Sequence, residues 1–553
     1  MAKKLFSVLS FVLLLAYGTN ANNVTVANVT ITGQNATAGV NNAANYTYVQ
    51  FDLSWSNAWN IAAGPQNWDG VWVFVKFEVT GGTGCTAGTT WYHSTLSNVS
   101  TDHVVTTNNG VTPQIDAVSD GKGVFMHLAS TGSGSVNWQS CKLKWNYGAD
   151  GIFDACQVTV KVFAIEMVYV PTNAFYVGDG DLAGTDGRFC GGTSGSPYQV
   201  TAANVPTTLG GGTAASLGNN NCTGMSQADD FNNTTSVAFG TVASWPNGYT
   251  KFYSMKYEIS QEQYKEFLNT LNGTQQSNRT PAISVGAYHC SAAGTTTPQN
   301  RNGIKCTVPP SGATAGQYVC DLNNNGVYDE VNGDGRYVAC NWLTTPDLLA
   351  YLDWSCLRPM TELELEKACR GTLLPVVDEY AWGSTTATAA TGQTSGGADV
   401  EVASNAAANV CYNNATIGPM RCGVFATATS TRAQAGASYY GIMEMTGNVW
   451  EQDVTIGNVA GRSFTGANGD GVLATNGCAN VGAWPGANGN NTLTTANGAS
   501  AAGNTGYAGM GFAAGTWNTA QWAQVADRQY RAGWSGLTGR DTRTGGRGVR
   551  TAP

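Results

Sequence analysis

The sequence predicts an α+β protein in two unequal parts: an all-β sandwich over residues 22–164, then a loop-rich mixed domain over 165–553. Three observations carry this expectation. First, the runs YTYVQFDLSW, VWVFVKFEV, GVFMHLA, CKLKWNY and CQVTVKVFAI alternate or are continuously apolar and are separated by Gly, Asn and Asp, the pattern of short strands at close spacing. Second, from AIEMVYVPTNAFYVGDG onward short strands alternate with a few capped helical segments. Third, most of what remains is Gly-rich and has no sustained period, which reads as irregular structure.

Ahead of the sandwich, residues 1–21 carry Lys3 and Lys4, an apolar run from Leu5 to Ala16 and small residues up to Ala21. That order marks a secretory signal peptide cut after Ala21. No later apolar run is long enough to span a bilayer. The next residue is Asn22 and the first cysteine is Cys85, which argues against a lipid-modified N-terminal cysteine. A secreted or cell-surface location is therefore expected.

The sandwich opens with NNVTVANVTIT, where Val24 and Val26, then Val29 and Ile31, follow strand alternation with a phase shift near Asn28. Such a shift suggests a β-bulge. No charged residue lies between Lys4 and Asp52, so an edge strand here lacks the usual protection against pairing with another chain. Two placements stay open: the first strand of its own sandwich, or a strand added to a neighbouring subunit to build a fibre or layer.

In the second part KFYSMKYEIS reads as a strand, after which Ser260 opens a helix with Gln263 in the capping-box position. Tyr264, Phe267, Leu268 and Leu271 then share one helical face. A second helix follows Thr345, with Pro346 at its first position and Leu348, Leu349 and Leu352 inside. A third follows Thr361, with Glu364 completing another capping box. A loop-rich domain of this size needs internal ties, for which disulfides, metals and buried Trp are the candidates.

Fourteen cysteines agree with an oxidising compartment. Cys141 and Cys156 flank NYGADGIFD, and Cys411 and Cys422 flank YNNATIGPMR, so these two pairs are the expected disulfides, with buried thiols as the alternative. The net charge is −9 and only 11% of residues are charged, which argues against nucleic acid as a partner. The local exception is the cluster Arg528, Arg531, Arg540, Arg543, Arg547 and Arg550. It could bind an anion, but more often such arginines are internal partners for carboxylates and carbonyls. The run DLNNNGVYDE puts Asp321, Asn323, Asn325 and Asp329 at positions 1, 3, 5 and 9 of an EF-hand-like calcium loop, with Gly326 at position 6. Position 12 is Asn332 rather than a bidentate Glu. The same residues readily form Asx-turns instead.

The segments VYVPTNAFYVGD, YEISQEQYKEFL, LRPMTELELEKACRG, YAWG, SYYGIMEMTGNVWEQ and GRGVR stand in the order seen in the formylglycine-generating enzyme (sulfatase-modifying factor) family. The resemblance covers residues 165–553 and implies a C-type-lectin-like fold. It implies calcium bound by Glu444, the carbonyls of Gly447 and Val449, and Glu451, with Glu444 standing where the family usually has Asp or Asn. Hard oxygen donors of this kind suit Ca²⁺. Asn409 and Val410 resemble part of a second family calcium site. The alternative for the first loop is a turn held by packing of Trp450, with Glu451 bonded to backbone amides.

Catalytic members of that family oxidise a substrate cysteine with O₂ through two active-site cysteines near the C-terminus. At the matching positions this chain has Asp527 and Ala532, and no cysteine follows Cys478. Neither residue can act as a thiolate, so no catalytic residue is expected. The histidines are His93, His103, His127 and His289, with no HExxH, which argues against zinc hydrolysis. The function expected is thus an exported, non-catalytic, calcium-tied surface module that binds or forms structure, a pseudoenzyme. Its partners would be copies of itself, other surface proteins or carbohydrate stacked on Trp-rich loops. The alternative is an exported oxidase of the formylglycine-generating type.

Overall fold

The computed structural model describes residues 24–181, 187–192, 194–220, 229–240, 244–412, 417–485, 509–531 and 540–553. The signal-peptide expectation and Ala532 lie outside the described residues. The described chain is mostly β with few helices, and its N-terminal region is rich in strand.

Two sheets build that region. One has four antiparallel strands in the order Thr25–Asn35, Tyr46–Asn60, Gly132–Trp145 and Val104–Thr107. The other has seven: Val549–Thr551, Phe252–Met255, Cys156–Val170, Asp69–Gly82, Val124–Leu128 and Pro113–Ala117 in order, with Tyr92–His93 alongside Asp69–Gly82. The alternation in the strand Tyr46–Asn60 buries Val49, Phe51, Leu53 and Trp55 on one face. In the strand Asp69–Gly82 every residue from Val71 to Phe77 is buried. Val71, Val73, Val75 and Phe77 pack between the two sheets, while Trp72 and Phe74 pack on the opposite face with Tyr264, Phe267 and Trp354. A sheet covered on both sides explains a continuous apolar run where an alternating one would otherwise stand. Each such side chain contributes about 1.5–3 kcal/mol by leaving water.

The strand Cys156–Val170 runs without a break across residues 164 and 165. It pairs with Asp69–Gly82 along its length and, from Met167 onward, with Phe252–Met255 on its other edge. Residues from both parts of the sequence therefore share one sheet. The strand Thr25–Asn35 pairs with Tyr46–Asn60 of its own chain. The register slips between Ala27 and Thr30, with Asn28 at φ +54°, so the expected bulge is present.

The disulfides differ from those expected. Cys156 is bonded to Cys85, with 5.5 Å between their Cα atoms. Gly82 lies opposite Cys156 in the ladder, and this brings the following turn with Cys85 to the start of the strand. Cys141 lies mid-strand opposite Phe51, facing the core as a thiol that burial pushes up to about 12. Cys422 is also a thiol, directed at the Glu258 carbonyl at 3.5 Å, so no bridge joins Cys411 to Cys422.

The helices are α1 (Gln261–Leu268), α2 (Gly273–Arg279), α3 (Thr345–Trp354), α4 (Glu362–Arg370) and α5 (Val459–Arg462). Both Ser260–Gln263 and Thr361–Glu364 form the expected capping boxes. The cap of α3 is Thr344, so Thr345 is its first residue and Pro346 its second. Helix α2, capped by Asn272 with Gln275, was not expected from the sequence because GTQQSNR has no apolar period. Among the described residues no helix is long and apolar enough to cross a membrane.

Candidate functional site

The loop 441–450 leads into the strand Glu451–Val454, the centre of a three-stranded sheet with Met360–Thr361 and Met510–Ala513. Its path needs left-handed backbone at Glu444, Gly447 and Asn448. A Cβ on Gly447 would lie 2.6 Å from the Cys411 carbonyl oxygen, so glycine is required there by space as well as by φ.

This loop closes over a buried acidic cluster. Glu258, on the segment that leads into α1, accepts from Val449 N at 3.0 Å and from Asn448 Nδ2 at 2.5 Å. Glu444 Oε1 accepts from Gly423 N at 2.7 Å. Arg547 donates through Nε to Glu451 Oε1 at 2.5 Å and through its other nitrogens to the carbonyls of Glu444, Met255 and Lys256. The second oxygens, Glu444 Oε2 and Glu451 Oε2, are buried without a hydrogen-bond partner. Three carboxylates thus surround one guanidinium.

Burial raises the pKa of all three. Glu258 stands well above the usual carboxylate range, with the charges of Glu451 and Glu444 adding to the effect. Glu444 is pushed up to about 7 by burial, against the pull of Arg547. Glu451 is raised by burial in the same way, against Arg547. A hard divalent cation would relieve this. The donors are oxygens and two are orphaned, which is the donor chemistry of a hard-cation site, although the oxygens of Glu258, Glu444 and Glu451 do not all lie within 4.8 Å of one another. Glu444 and Glu451 would hold such a cation through these second oxygens, with the Gly447 and Val449 carbonyls in the same loop, while both Glu258 oxygens are taken by Val449 N and Asn448 Nδ2.

Trp450, next to Glu451, packs on Phe512, Trp522 and Tyr530, with the Arg543 guanidinium 4.3 Å from its ring centre. Packing of Trp450 and bonding of Glu451 are therefore both present, although Glu451 takes its side-chain partner from Arg547.

The other expected ligands are engaged elsewhere. Asn409 Oδ1 accepts from Thr388 N at 2.8 Å, its Nδ2 donates to the Ala433 carbonyl, and the Val410 carbonyl accepts from Ala390 N. In the EF-hand-like run, Asn323 and Asn325 accept from the amides two residues on, as Asx-turns. Asp321 Oδ2 pairs with Lys305 Nζ at 2.7 Å, and Asp329 Oδ1 with Lys265 Nζ at 3.2 Å. The ligand atoms of Glu262, Cys320 and Asp329 lie within 4.8 Å of one another, but the Lys265 ammonium already sits 2.9 Å from Glu262.

The C-terminal arginines are internal partners. Arg528 meets Asp229 and Glu362, and Arg531 lies within 3.9 Å of Glu366 and 3.7 Å of Asp453. Arg540 pairs with Asp347, Arg543 with Asp541, Arg547 with Glu451 and Arg550 with Asp120. Asp527 is nearly buried, and its Oδ1 accepts from Gln529 N at 2.9 Å.

Sequence reasoning missed Glu258 and did not connect Arg547 to the loop. The single acid in the strand segment KFYSMKYEIS was the available signal for the first; the second is brought in from far along the chain.

Residues 243–455 match the family model described as the sulfatase-modifying factor enzyme 1-like domain. The match includes Glu258, Glu444 and Glu451 and ends before Asp527 and Arg547. No curated protein matches the chain.

Proposed function

We propose that this chain, with a sulfatase-modifying factor enzyme 1-like domain over residues 243–455, is an exported, non-catalytic surface module that binds or forms structure. Its second part would have the C-type-lectin-like fold of that family, tied by calcium at Glu444, Glu451 and the Gly447 and Val449 carbonyls. The observation that carries the non-catalytic reading is Asp527 and Ala532 at the positions of the family's two thiols. A carboxylate and a methyl group neither bind a soft metal ion nor form a mixed disulfide. Bound calcium would supply a fixed positive charge to a cluster that otherwise holds protons. The remaining work of the loop is done by Arg547, which anchors Glu451 and the Glu444 backbone.

The test is incubation of the protein with a cysteine peptide of the sulfatase type, with and without copper. No conversion to formylglycine is expected. Catalytic turnover would overturn the reading and restore the oxidase.

A further inference from the structure

The strand Cys156–Val170 has a partner on one edge along its whole length, but on the other only from Met167 onward. Among the described residues no strand pairs with residues 157–165 on that second edge. The direction of the backbone groups follows from the bonds that are made. Tyr169 N donates to the Trp68 carbonyl on the Asp69–Gly82 side, whereas the Glu166 carbonyl accepts from Lys256 N on the other side. Amide groups alternate along a strand, so those of Val158, Val160, Val162 and Ala164 face the open edge. Their side chains are only half-buried against the core between the sheets.

This edge borders a groove of about 570 Å³ that is also lined by Val24, Val26 and Val29 of the first strand region. The strand Thr25–Asn35 is itself an edge, with Tyr46–Asn60 on one side and no described strand on the other. The groove carries little free charge. Lys161 pairs with Glu266 at 3.2 Å, Glu262 with Lys265 at 2.9 Å, and Arg336 with Asp399. An open backbone edge is a template for another strand, which would replace water on those groups, and a groove of paired charges suits a strand without charge. The chain carries such a strand: Thr25–Asn35 has no charged residue and is rich in Val, Thr and Ile.

We propose that this rim is a self-assembly surface, in which residues 158–164 take the first-strand edge of a second copy by backbone hydrogen bonding. Because both open edges border the same groove, two copies related by a two-fold axis can satisfy both edges at once. The proposal rests on the non-catalytic structural reading above and names its partner as the chain itself.

The experiment is sedimentation velocity on the mature protein over about a hundredfold concentration range, beside Val162→Pro. Proline removes an amide that faces the open edge and leaves the ladder to Asp69–Gly82 intact. The expected result is a dimer for the parent and a monomer for V162P, with matching melting temperatures. A parent monomeric at every concentration, or a V162P that keeps the parent's mass, overturns the proposal. If V162P fails to fold, hydrogen exchange on the parent decides. The amides of Val160 and Val162 must slow as concentration rises, and unchanged exchange overturns the proposal. Peptide conversion tests the non-catalytic reading separately, so the two can fail independently.

Discussion

Arg547 and Glu451 are joined by a hydrogen bond of 2.5 Å while their side chains are 0% and 1% exposed. Glu444 and Glu258 share the same guanidinium's field. Removing the Arg547 charge from three buried acids leaves only the Arg421 charge acting on Glu444, and breaking a buried ion pair in this way costs about 3–5 kcal/mol. Arg547→Met is expected to lower unfolding free energy by that order in urea titrations without calcium. A loss under about 1 kcal/mol would contradict the assigned role.

Calcium should act on the same cluster with a definite pH dependence. Glu444 is held at about 7 in the folded chain against an ordinary 4.5. Between those values the folded chain keeps a proton that the unfolded chain releases, so cation-free stability falls as pH rises from about 4.5 to 7. Calcium at a hundred times its Kd adds about 2.7 kcal/mol, and the gain grows as the carboxylates ionise. Thermal melts with calcium and with chelator across that window check this. Coincident curves for the parent, or a full calcium shift in Glu444→Gln, would argue against the site.

The disulfide prediction is about connectivity and size. Cys85 and Cys156 are 71 residues apart, and a loop of that length implies about 4 kcal/mol through restriction of the unfolded chain. Non-reducing peptide maps should show Cys85 linked to Cys156, with Cys141 and Cys422 alkylated only after unfolding. The double variant Cys85→Ala/Cys156→Ala should lose stability on that scale.

Lys76 makes an alkaline prediction. Its ammonium is buried over Trp354 and donates to the Gly471 carbonyl at 2.8 Å. Burial lowers it from 10.5 to about 8. The unfolded chain therefore binds the proton more tightly, and stability should rise from about pH 8 to 10.5. Lys76→Met should flatten that rise in denaturation midpoints and cost little at neutral pH. An unchanged slope would remove Lys76 as its source.

What could be read from the sequence was local. Ser260–Gln263 and Thr361–Glu364 were legible because a capping box is a spacing of three residues, and Asn28 because a bulge breaks a period of two. The pairing of Cys156 was not legible. The turn between Cys141 and Cys156 carries the chain from one sheet to the other, so symmetry about that turn says nothing about distance. The acidic cluster was half legible: Glu444 and Glu451 lie on one quoted loop, whereas Glu258 and Arg547 reach it only through tertiary folding.

The shared sheet has a consequence for the order of events during folding. Its middle strand, Asp69–Gly82, is synthesised early, yet the outermost one, Val549–Thr551, is held by Phe252–Met255 from far upstream. Closing so long a loop is slow, and non-local pairing delays folding. Until residue 551 has left the ribosome, the edge of Phe252–Met255 stays open, and nascent chains must pass through a stage in which this sheet is one strand short.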